Sequence, residues 1–155
     1  MSYTDNASDD IAQLAEEFPS RVIVMLFDAA IEHLDIAIGA IEADDIEWRY
    51  KASETVAEIL YQLCLGLDME NGGVVAANLA ALYKHGIRQM TEINFKNDAD
   101  IATALKKVLE PLRDSWAELD ERIRLEVDEA EAMMDPAFIG KIAAQQHAIA
   151  GMAAR

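Results

Sequence analysis

The sequence predicts an all-α protein: an antiparallel, up-down four-helix bundle with an extra short C-terminal helix and an N-terminal arm or short helix. Apolar residues recur at steps of three and four along four long stretches, which places them on one face of each helix. Glycine and proline, which interrupt helices, number only 7 and 3 among 155 residues. Short connections between long helices favour antiparallel neighbours. A chain of this length is expected to form one domain with a sizeable buried core.

Three regions follow from this pattern: residues 1–18, 19–128 and 129–155. The first region carries five acidic residues and no basic one, with apolar residues at helical spacing. A short docking helix and a mobile arm both fit such a segment. The second region holds the four-helix bundle, and the third is a C-terminal extension with a short helix.

The first bundle helix is predicted from about Pro19 to Ala43, because the fixed φ of proline suits the first helical position. The stripe expected to face the core consists of Ile23, Leu26, Ala30, Leu34, Ala37 and Ile41. A second stripe, on an adjacent face, consists of Val24, Phe27, Ile31 and Ile38. Either the helix buries both faces, or the second stripe forms a groove for another helix. The groove hypothesis predicts that Phe27→Glu weakens partner binding more than it disturbs folding.

The other three bundle helices show the same spacing. The second is predicted over about Asp45 to Leu67 and the third from the following turn to about Phe95, while Asp98 or Asp100 is expected to cap the fourth. Pro111 lies inside the fourth helix, and because the apolar stripe stays in register across it, we expect a kink rather than a break. The three stripes are Ile46, Tyr50, Ser53, Val56, Leu60, Leu63 and Leu67; Val75, Leu79, Leu82, Gly86, Met90 and Ile93; and Ile101, Leu105, Val108, Leu112, Trp116, Leu119 and Ile123.

The C-terminal region has a different character. Between Glu118 and Asp135 there are eight acidic residues and two arginines, which is typical of a solvated face. Beyond Pro136, a fifth and weakly amphipathic helix is predicted from Phe138, Ile139, Ile142, Ile149 and Met152. A short amphipathic helix is marginal in water unless it docks. We therefore expect it to lie on the remaining apolar surface of the bundle and to gate the groove.

Charge and composition exclude several classes of partner. The formal net charge of -16 disfavours nucleic acid and anionic membrane surfaces. No apolar run approaches the ~20 residues that a membrane-spanning helix needs, so no membrane insertion is expected. The single cysteine, Cys64, cannot form an internal disulfide and falls on an apolar helix face. This placement favours a buried thiol in a reducing compartment, hence a cytoplasmic protein.

The residues that catalysis would need are missing from the sequence. A di-iron bundle requires Glu-x-x-His motifs, and none of the three histidines has a glutamate three residues before it. His33 is followed by Leu34 and Asp35 rather than by the lysine and small residues of a phosphotransfer module. Neither a nucleophile elbow nor a glycine-rich phosphate loop occurs. The sequence therefore predicts no enzyme activity, no cofactor and no metal site.

One stretch, from Leu63 to Tyr83, predicts a helical hairpin. Apolar helical spacing continues on both sides of a turn that contains Asp68, Asn71, Gly72 and Gly73. Aspartate, asparagine and glycine tolerate turn and left-handed backbone conformations, so the chain is expected to reverse here.

This stretch resembles the signature of the FliS family of flagellar secretion chaperones, in which LD-x-E-x-GG leads into A-x-NL-x-x-LY. Upstream, Pro19 followed by Met25-Leu26-Phe27-Asp28 is similar to the family's P-x-x-x-x-x-MLFD opening. Downstream, Asn97-Asp98 and Trp116 fall where the family has its last interhelix turn and closing tryptophan. The likeness covers about Pro19 to Trp116. The chain departs from the pattern at Ala29, Val74 and Lys84-His85-Gly86.

The resemblance implies a cytoplasmic chaperone that binds the disordered C-terminal segment of flagellin, prevents premature polymerisation and aids secretion, with the flagellar export apparatus as a further partner. Segments that fold on binding recover their ordering entropy from buried apolar area, which a long groove supplies. An N-terminal tyrosine arm can occupy the groove in this family. The expected flagellin-binding residues are Tyr3, Val24, Phe27, Asp28, Ile31, Ile38, Asn78 and Tyr83.

Two interpretations stay open at this point. Asp28 and Asn78 are polar residues within apolar helix faces, and either a buried hydrogen bond between helices or a contact to the client backbone would explain them. The alternative to the chaperone function is a self-associating helical-bundle interaction module, a homodimer with no flagellin client.

Overall fold

The computed structural model describes residues 19–134 and 136–153, and within these ranges the chain forms five helices and no strand. Tyr3 lies outside the described residues. The helices are α1 (Pro19–Glu42), α2 (Ile46–Leu65), α3 (Gly73–Lys96), α4 (Ala99–Met133) and α5 (Pro136–Ala153). The predicted all-α class is confirmed, and the helix ends lie within two residues of those predicted for α1, α2 and α3.

Local capping explains where the helices begin and end. The Asp45 side chain accepts a hydrogen bond of 3.1 Å from the Trp48 amide and so caps the start of α2. Asn97 adopts a left-handed conformation (φ 50°), and its amide donates to the Ile93 carbonyl to end α3. The Asp98 carboxylate accepts from the Asp100 amide at 2.9 Å, which identifies Asp98 as the cap of α4.

Ion pairs between α1 and α4 show that these helices are antiparallel. Asp28 lies 2.7 Å from Arg113, and Asp35 lies 2.8 Å from Lys106. Along α1 the residue number rises by seven between the two pairs, while along α4 it falls by seven. α4 also continues through Pro111 as one helix, as the unbroken apolar stripe predicts. The up-down arrangement of the bundle is thus confirmed.

The bundle core lies in the unit Met1–Glu118, one of two units into which the chain divides. Gly86 lets helices approach closely here, because a Cβ atom at this position would lie 2.7 Å from Leu60 Cδ1 and 3.2 Å from Leu105 Cδ1. The core residues are Phe27, Ala30, Leu34, Ala37, Ala52, Val56, Ile59, Leu60, Leu63, Tyr83, Met90, Ile93, Ala102, Leu105 and Leu109.

The buried faces differ from the predicted stripes by one residue in several places. On α1, Phe27 is buried and Leu26 only half-buried, so the assignment of Phe27 to a face separate from the core is wrong. On α4, Leu109 is buried where Val108 was predicted. Adjacent residues on a helix are separated by about 100°, so two consecutive apolar residues can lie on either side of the centre of the buried face, and the rotation of the helix decides which of them is buried.

The second unit, Leu119–Arg155, contains the end of α4 and all of α5. Its described apolar side chains are largely exposed, and Arg124 pairs with Glu121 at 2.7 Å on the same helix. The fifth helix is confirmed, whereas the side chains of its predicted stripe, Phe138, Ile139, Ile142, Ile149 and Met152, lie outside the described residues. None of the described helices is both long and apolar enough to cross a membrane.

Candidate functional site

The turn between α2 and α3 is organised by the carboxylate of Asp68. Its Oδ1 accepts hydrogen bonds from the Asn71 amide at 3.0 Å and the Glu70 amide at 3.1 Å, and its Oδ2 accepts from Asn71 Nδ2 at 3.0 Å. The side-chain bond from Asn71, followed by the backbone bonds, lowers the pKa of Asp68 below its ordinary value. A charged carboxylate therefore holds the turn together.

The two glycines of the turn have distinct roles. The Gly72 amide donates to the Asp68 carbonyl at 2.8 Å, and a Cβ atom at Gly72 would lie 2.5 Å from that carbonyl oxygen and 2.5 Å from Ala76 Cβ. Gly73 has a φ of +55°, which glycine adopts without steric penalty. Glycine is required at position 72 because neighbouring atoms lie too close for a Cβ atom, and glycine is favoured at position 73 because φ is positive. Together Gly72 and Gly73 allow α3 to begin shortly after α2 ends.

Beside this turn the bundle has an apolar cavity of about 340 Å³. It lies where α1 begins and α2 ends, and each of the four bundle helices contributes to its wall. Besides the Tyr83 hydroxyl and the Trp116 indole nitrogen, polar side-chain groups of the wall occur at Gln62 and Asp68, which are both exposed. The lining residues are Ile23, Leu26, Gln62, Leu63, Gly66, Leu67, Asp68, Tyr83 and Trp116.

Tyr83 connects the cavity to the core. Its ring lies against Phe27, with centroids 6.4 Å apart and planes tilted by 52°. Only 2% of Tyr83 is exposed, and Phe27 behind it is fully buried. Burial, with a smaller contribution from Cys64, raises the pKa of Tyr83 to about 12. The phenol therefore stays protonated throughout the physiological pH range.

The structure places the predicted site residues in three different environments. Tyr83 alone lines the cavity, with Phe27 as its buried neighbour. Val24, Ile31 and Ile38 are half-buried on α1, and the last two pack against the core. The second stripe therefore lies partly in the core and partly at its half-buried edge, rather than in a separate groove.

The two polar site residues are both exposed. Asp28 pairs with Arg113 through Oδ1–Nε at 2.7 Å and Oδ2–Nη2 at 3.4 Å, so it does link two helices, although at the surface. Hydrogen bonding to this carboxylate raises the pKa of Arg113. Asn78 lies exposed on α3, so of the two explanations left open for it, a buried hydrogen bond between helices does not apply.

Sequence reasoning assigned several of the cavity residues to the core. Ile23, Leu26, Leu63 and Leu67 belong to the predicted core stripes of their helices, and Trp116 to that of α4. Their position near one end of the bundle is the signal that would have distinguished these cavity residues from true core residues. A stripe that faces the core in mid-helix lacks opposing side chains where the neighbouring helix stops, as α2 does at Leu65.

A second, more open depression of about 370 Å³ lies at the opposite end of the α1–α2 hairpin, where α1 ends and α2 begins. Its lining contains small residues, Gly39, Ala40 and Ala43, together with Asp45 and the exposed Trp48. Among the described residues no group of three His, Cys, Asp or Glu side chains could hold a metal ion. Of the two depressions, the apolar cavity beside Tyr83 is the more enclosed.

Comparison with known proteins matches this chain to a recognised family. The family model described as flagellar protein FliS matches residues 3–123. The flagellar secretion chaperone FliS of Salmonella typhimurium strain LT2 is 32% identical over 102 residues, covering 65% of this chain and 76% of the relative.

Two further relatives show a similar level of identity. Flagellar secretion chaperone FliS of Campylobacter jejuni serotype O:6 is 31% identical over 107 residues, covering 69% of this chain and 84% of the relative. Flagellar secretion chaperone FliSB of Pseudomonas aeruginosa PAO1 is 30% identical over 105 residues, covering 68% and 83%. The residues that line the cavity all lie inside the region that the family model matches.

Proposed function

Since the chain belongs to the FliS family of flagellar secretion chaperones, we propose that it binds the disordered C-terminal segment of a flagellin in the cytoplasm. Binding keeps that segment from polymerising early and aids its secretion, with the flagellar export apparatus as the receiving partner. The protein acts by burying apolar side chains and catalyses no reaction.

The cavity beside Tyr83 carries this proposal. Its wall is made of aliphatic and aromatic side chains from four helices, and it is open to solvent beside the α2–α3 turn. A disordered segment that becomes ordered on binding must gain enough apolar burial to offset its lost entropy. A cavity of this kind holds one apolar anchor of such a segment, and the half-buried side chains of α1 extend the contact.

Charge favours a flagellin segment over a second copy of the chain. Two molecules that each carry a formal charge of -16 repel one another, and this repulsion opposes the homodimer alternative. A client segment with a smaller negative charge is repelled less, and one of opposite charge is attracted.

Isothermal titration calorimetry with synthetic flagellin C-terminal segments from the same organism tests the proposal. We expect binding with a negative heat-capacity change, because apolar surface is buried, and a gain of helical circular dichroism on mixing. Ile23→Glu, in the cavity wall, should abolish most of the binding. Ile46→Glu, at an exposed position at the start of α2, is the matched control and should bind normally.

The outcome also decides between the two interpretations. A protein that binds none of the flagellin segments and sediments as a constitutive dimer would establish the self-associating module instead. Equal loss of binding in both isoleucine variants would show that added negative charge, rather than the cavity, controls the affinity.

A further inference from the structure

We propose that the Tyr83 hydroxyl is a hydrogen-bond contact for the bound segment, and that it donates to an uncharged oxygen acceptor that enters the cavity beside an apolar side chain. The inference rests on the proposed function and deepens it, because it specifies the chemistry of the group that the cavity selects. The observation that supports the proposal is the environment of the Tyr83 hydroxyl.

The hydroxyl of Tyr83 has no hydrogen-bond partner among the described residues. Hydrogen bonds of the neighbouring polar groups go elsewhere: the Asp68 carboxylate accepts from its own turn, and the Gln62 amide donates to Glu58 at 2.9 Å. Buried tyrosine hydroxyls usually find a partner, so an unpaired one on a residue that is 2% exposed is unusual.

This hydroxyl opens into the cavity. Every side-chain nitrogen or oxygen in the described part of the chain that is fully enclosed has a hydrogen-bond partner. The Tyr83 oxygen has none, so it is not fully enclosed, and it keeps a small area of contact with the outside. Tyr83 lines the cavity, whereas its ring is packed against Phe27. The small exposed part of the side chain therefore faces the cavity.

The surroundings decide which group can pair with this hydroxyl. Because the phenol remains protonated, it offers a donor, and the complementary group is an oxygen acceptor. A carboxylate of the segment would lose its hydration in an apolar cavity and would approach Asp68 at the rim. An uncharged acceptor avoids both penalties. A hydroxyl, a side-chain amide or a carbonyl at the end of a helix supplies one.

Tyr83→Phe tests the inference, because it removes the hydroxyl and keeps the ring that packs against Phe27. Titration calorimetry with the flagellin C-terminal segment should show a dissociation constant about fivefold higher for Tyr83→Phe than for the unmodified chain. Thermal unfolding of the free protein should be unchanged or shifted slightly upward, since no internal hydrogen bond is lost. Tyr61→Phe, which removes the same group from an exposed position on α2, is the matched control and should change neither quantity.

Each outcome separates this inference from the proposed function. If the unmodified chain binds the segment and Tyr83→Phe binds it equally well, the hydroxyl makes no contact and the inference fails alone. A marked loss of thermal stability in free Tyr83→Phe would show that the hydroxyl is bonded within the fold, which also overturns it. If the unmodified chain binds no flagellin segment, the proposed function fails and the inference with it.

Discussion

At the end of the bundle where α2 begins, Arg49 lies buried against the last turn of α3, whereas at the end where α2 stops, an apolar cavity opens among the helices. At both ends the helix termini leave backbone groups without hydrogen-bond partners inside the helix, and the apolar stripes lose their neighbours on adjacent helices. The Arg49 end is closed by polar contacts between α2 and α3, while the open depression beside Gly39 and Trp48 lies at the same end, between α1 and α2. The Tyr83 end is left open among the helices, and it is the one we assign to client binding.

The closed end depends on a single buried cation. Arg49 Nη1 donates to Asn97 Oδ1 at 2.7 Å, Nε donates to Asn94 Oδ1 at 3.3 Å, and Nη2 donates to the Asn94 carbonyl at 3.2 Å. Asn94 Nδ2 in turn donates to the Ser53 hydroxyl at 3.0 Å. A positive charge at the C-terminus of α3 also complements its helix dipole.

The two ends of the bundle differ in how their polar groups are used. At the Arg49 end the guanidinium group donates three hydrogen bonds to acceptors within the fold, and the depression beside Gly39 and Trp48 is the more open of the two depressions. At the Tyr83 end a hydroxyl and several apolar side chains keep unused contacts. Unsatisfied surface of this kind reduces stability and is available to a partner.

The largest expected effect separates the core residue behind the cavity, Phe27, from a residue of the cavity wall, Leu26. Phe27→Glu places a carboxylate in the fully buried core and should destabilise the protein by about 4 kcal/mol or more, enough to unfold it. Leu26→Glu affects a half-buried wall residue and should leave the bundle folded while it abolishes client binding. Circular dichroism and urea denaturation measure the first effect, and titration calorimetry measures the second. A folded Phe27→Glu that fails to bind would restore the predicted assignment of Phe27 to the binding face.

The closed end provides the next test. Arg49→Ala leaves two asparagine side-chain oxygens short of donors and should lower the free energy of unfolding by about 2 kcal/mol. Client affinity should not change, since Arg49 lies at the other end of α2. Lys51→Ala is the control, because its exposed pair with Glu47, an i,i+4 contact of 2.9 Å, contributes no more than about 0.5 kcal/mol. A large loss of affinity in Arg49→Ala would show that the two ends are energetically coupled.

Glycine substitutions compare a constrained position with a free one. Gly72→Ala forces a methyl group against a backbone oxygen in the turn and should destabilise the protein by about 2 kcal/mol. It should also weaken client binding, because the shifted turn carries Asp68 in the cavity rim. Gly39→Ala meets no atom within 4 Å and replaces glycine inside α1, so it should stabilise by about 1 kcal/mol. Denaturant titration of both variants measures the contrast, and equal effects would contradict the steric explanation.

Helix positions were predictable here because four regular apolar stripes and two polar turns leave few alternatives. The face that each helix buries was less predictable. Leu26 and Phe27 are consecutive and both apolar, and periodicity alone places the centre of the buried arc only to within about one residue. The same uncertainty affects α3, where Tyr83 is buried beside the half-buried Leu82. Packing against neighbouring helices decides the rotation, and a single stripe carries no information about it.

The cavity was not predictable for a related reason. Its wall joins residues that are far apart in the chain, such as Ile23 and Trp116, and its volume depends on how far each helix extends past its neighbours. The sequence does indicate Tyr83 through its place in the family-like motif. Nothing in the pattern distinguishes a tyrosine with an unpaired hydroxyl from one that is bonded within the core.

The smallest expected effect concerns the pH dependence of the turn that borders the cavity. Asp68 is exposed, and hydrogen bonds in the folded state lower its pKa below the ordinary value of 3.8. A carboxyl group with a lowered folded-state pKa binds fewer protons when folded than when unfolded. Its contribution to the free energy of unfolding is therefore fully present above the unfolded-state pKa. This contribution disappears as the pH falls through the folded-state pKa. Asp68→Asn should therefore be less stable than the unmodified chain at pH 7, and the difference should shrink below about pH 4. Urea denaturation across this pH range measures the difference.

Glu70→Gln, which removes a neighbouring carboxylate that receives none of these hydrogen bonds, is the control. A stability difference for Asp68→Asn that stays constant from pH 7 to the acid limit would mean that the geometry of the side chain, rather than its charge, holds the turn.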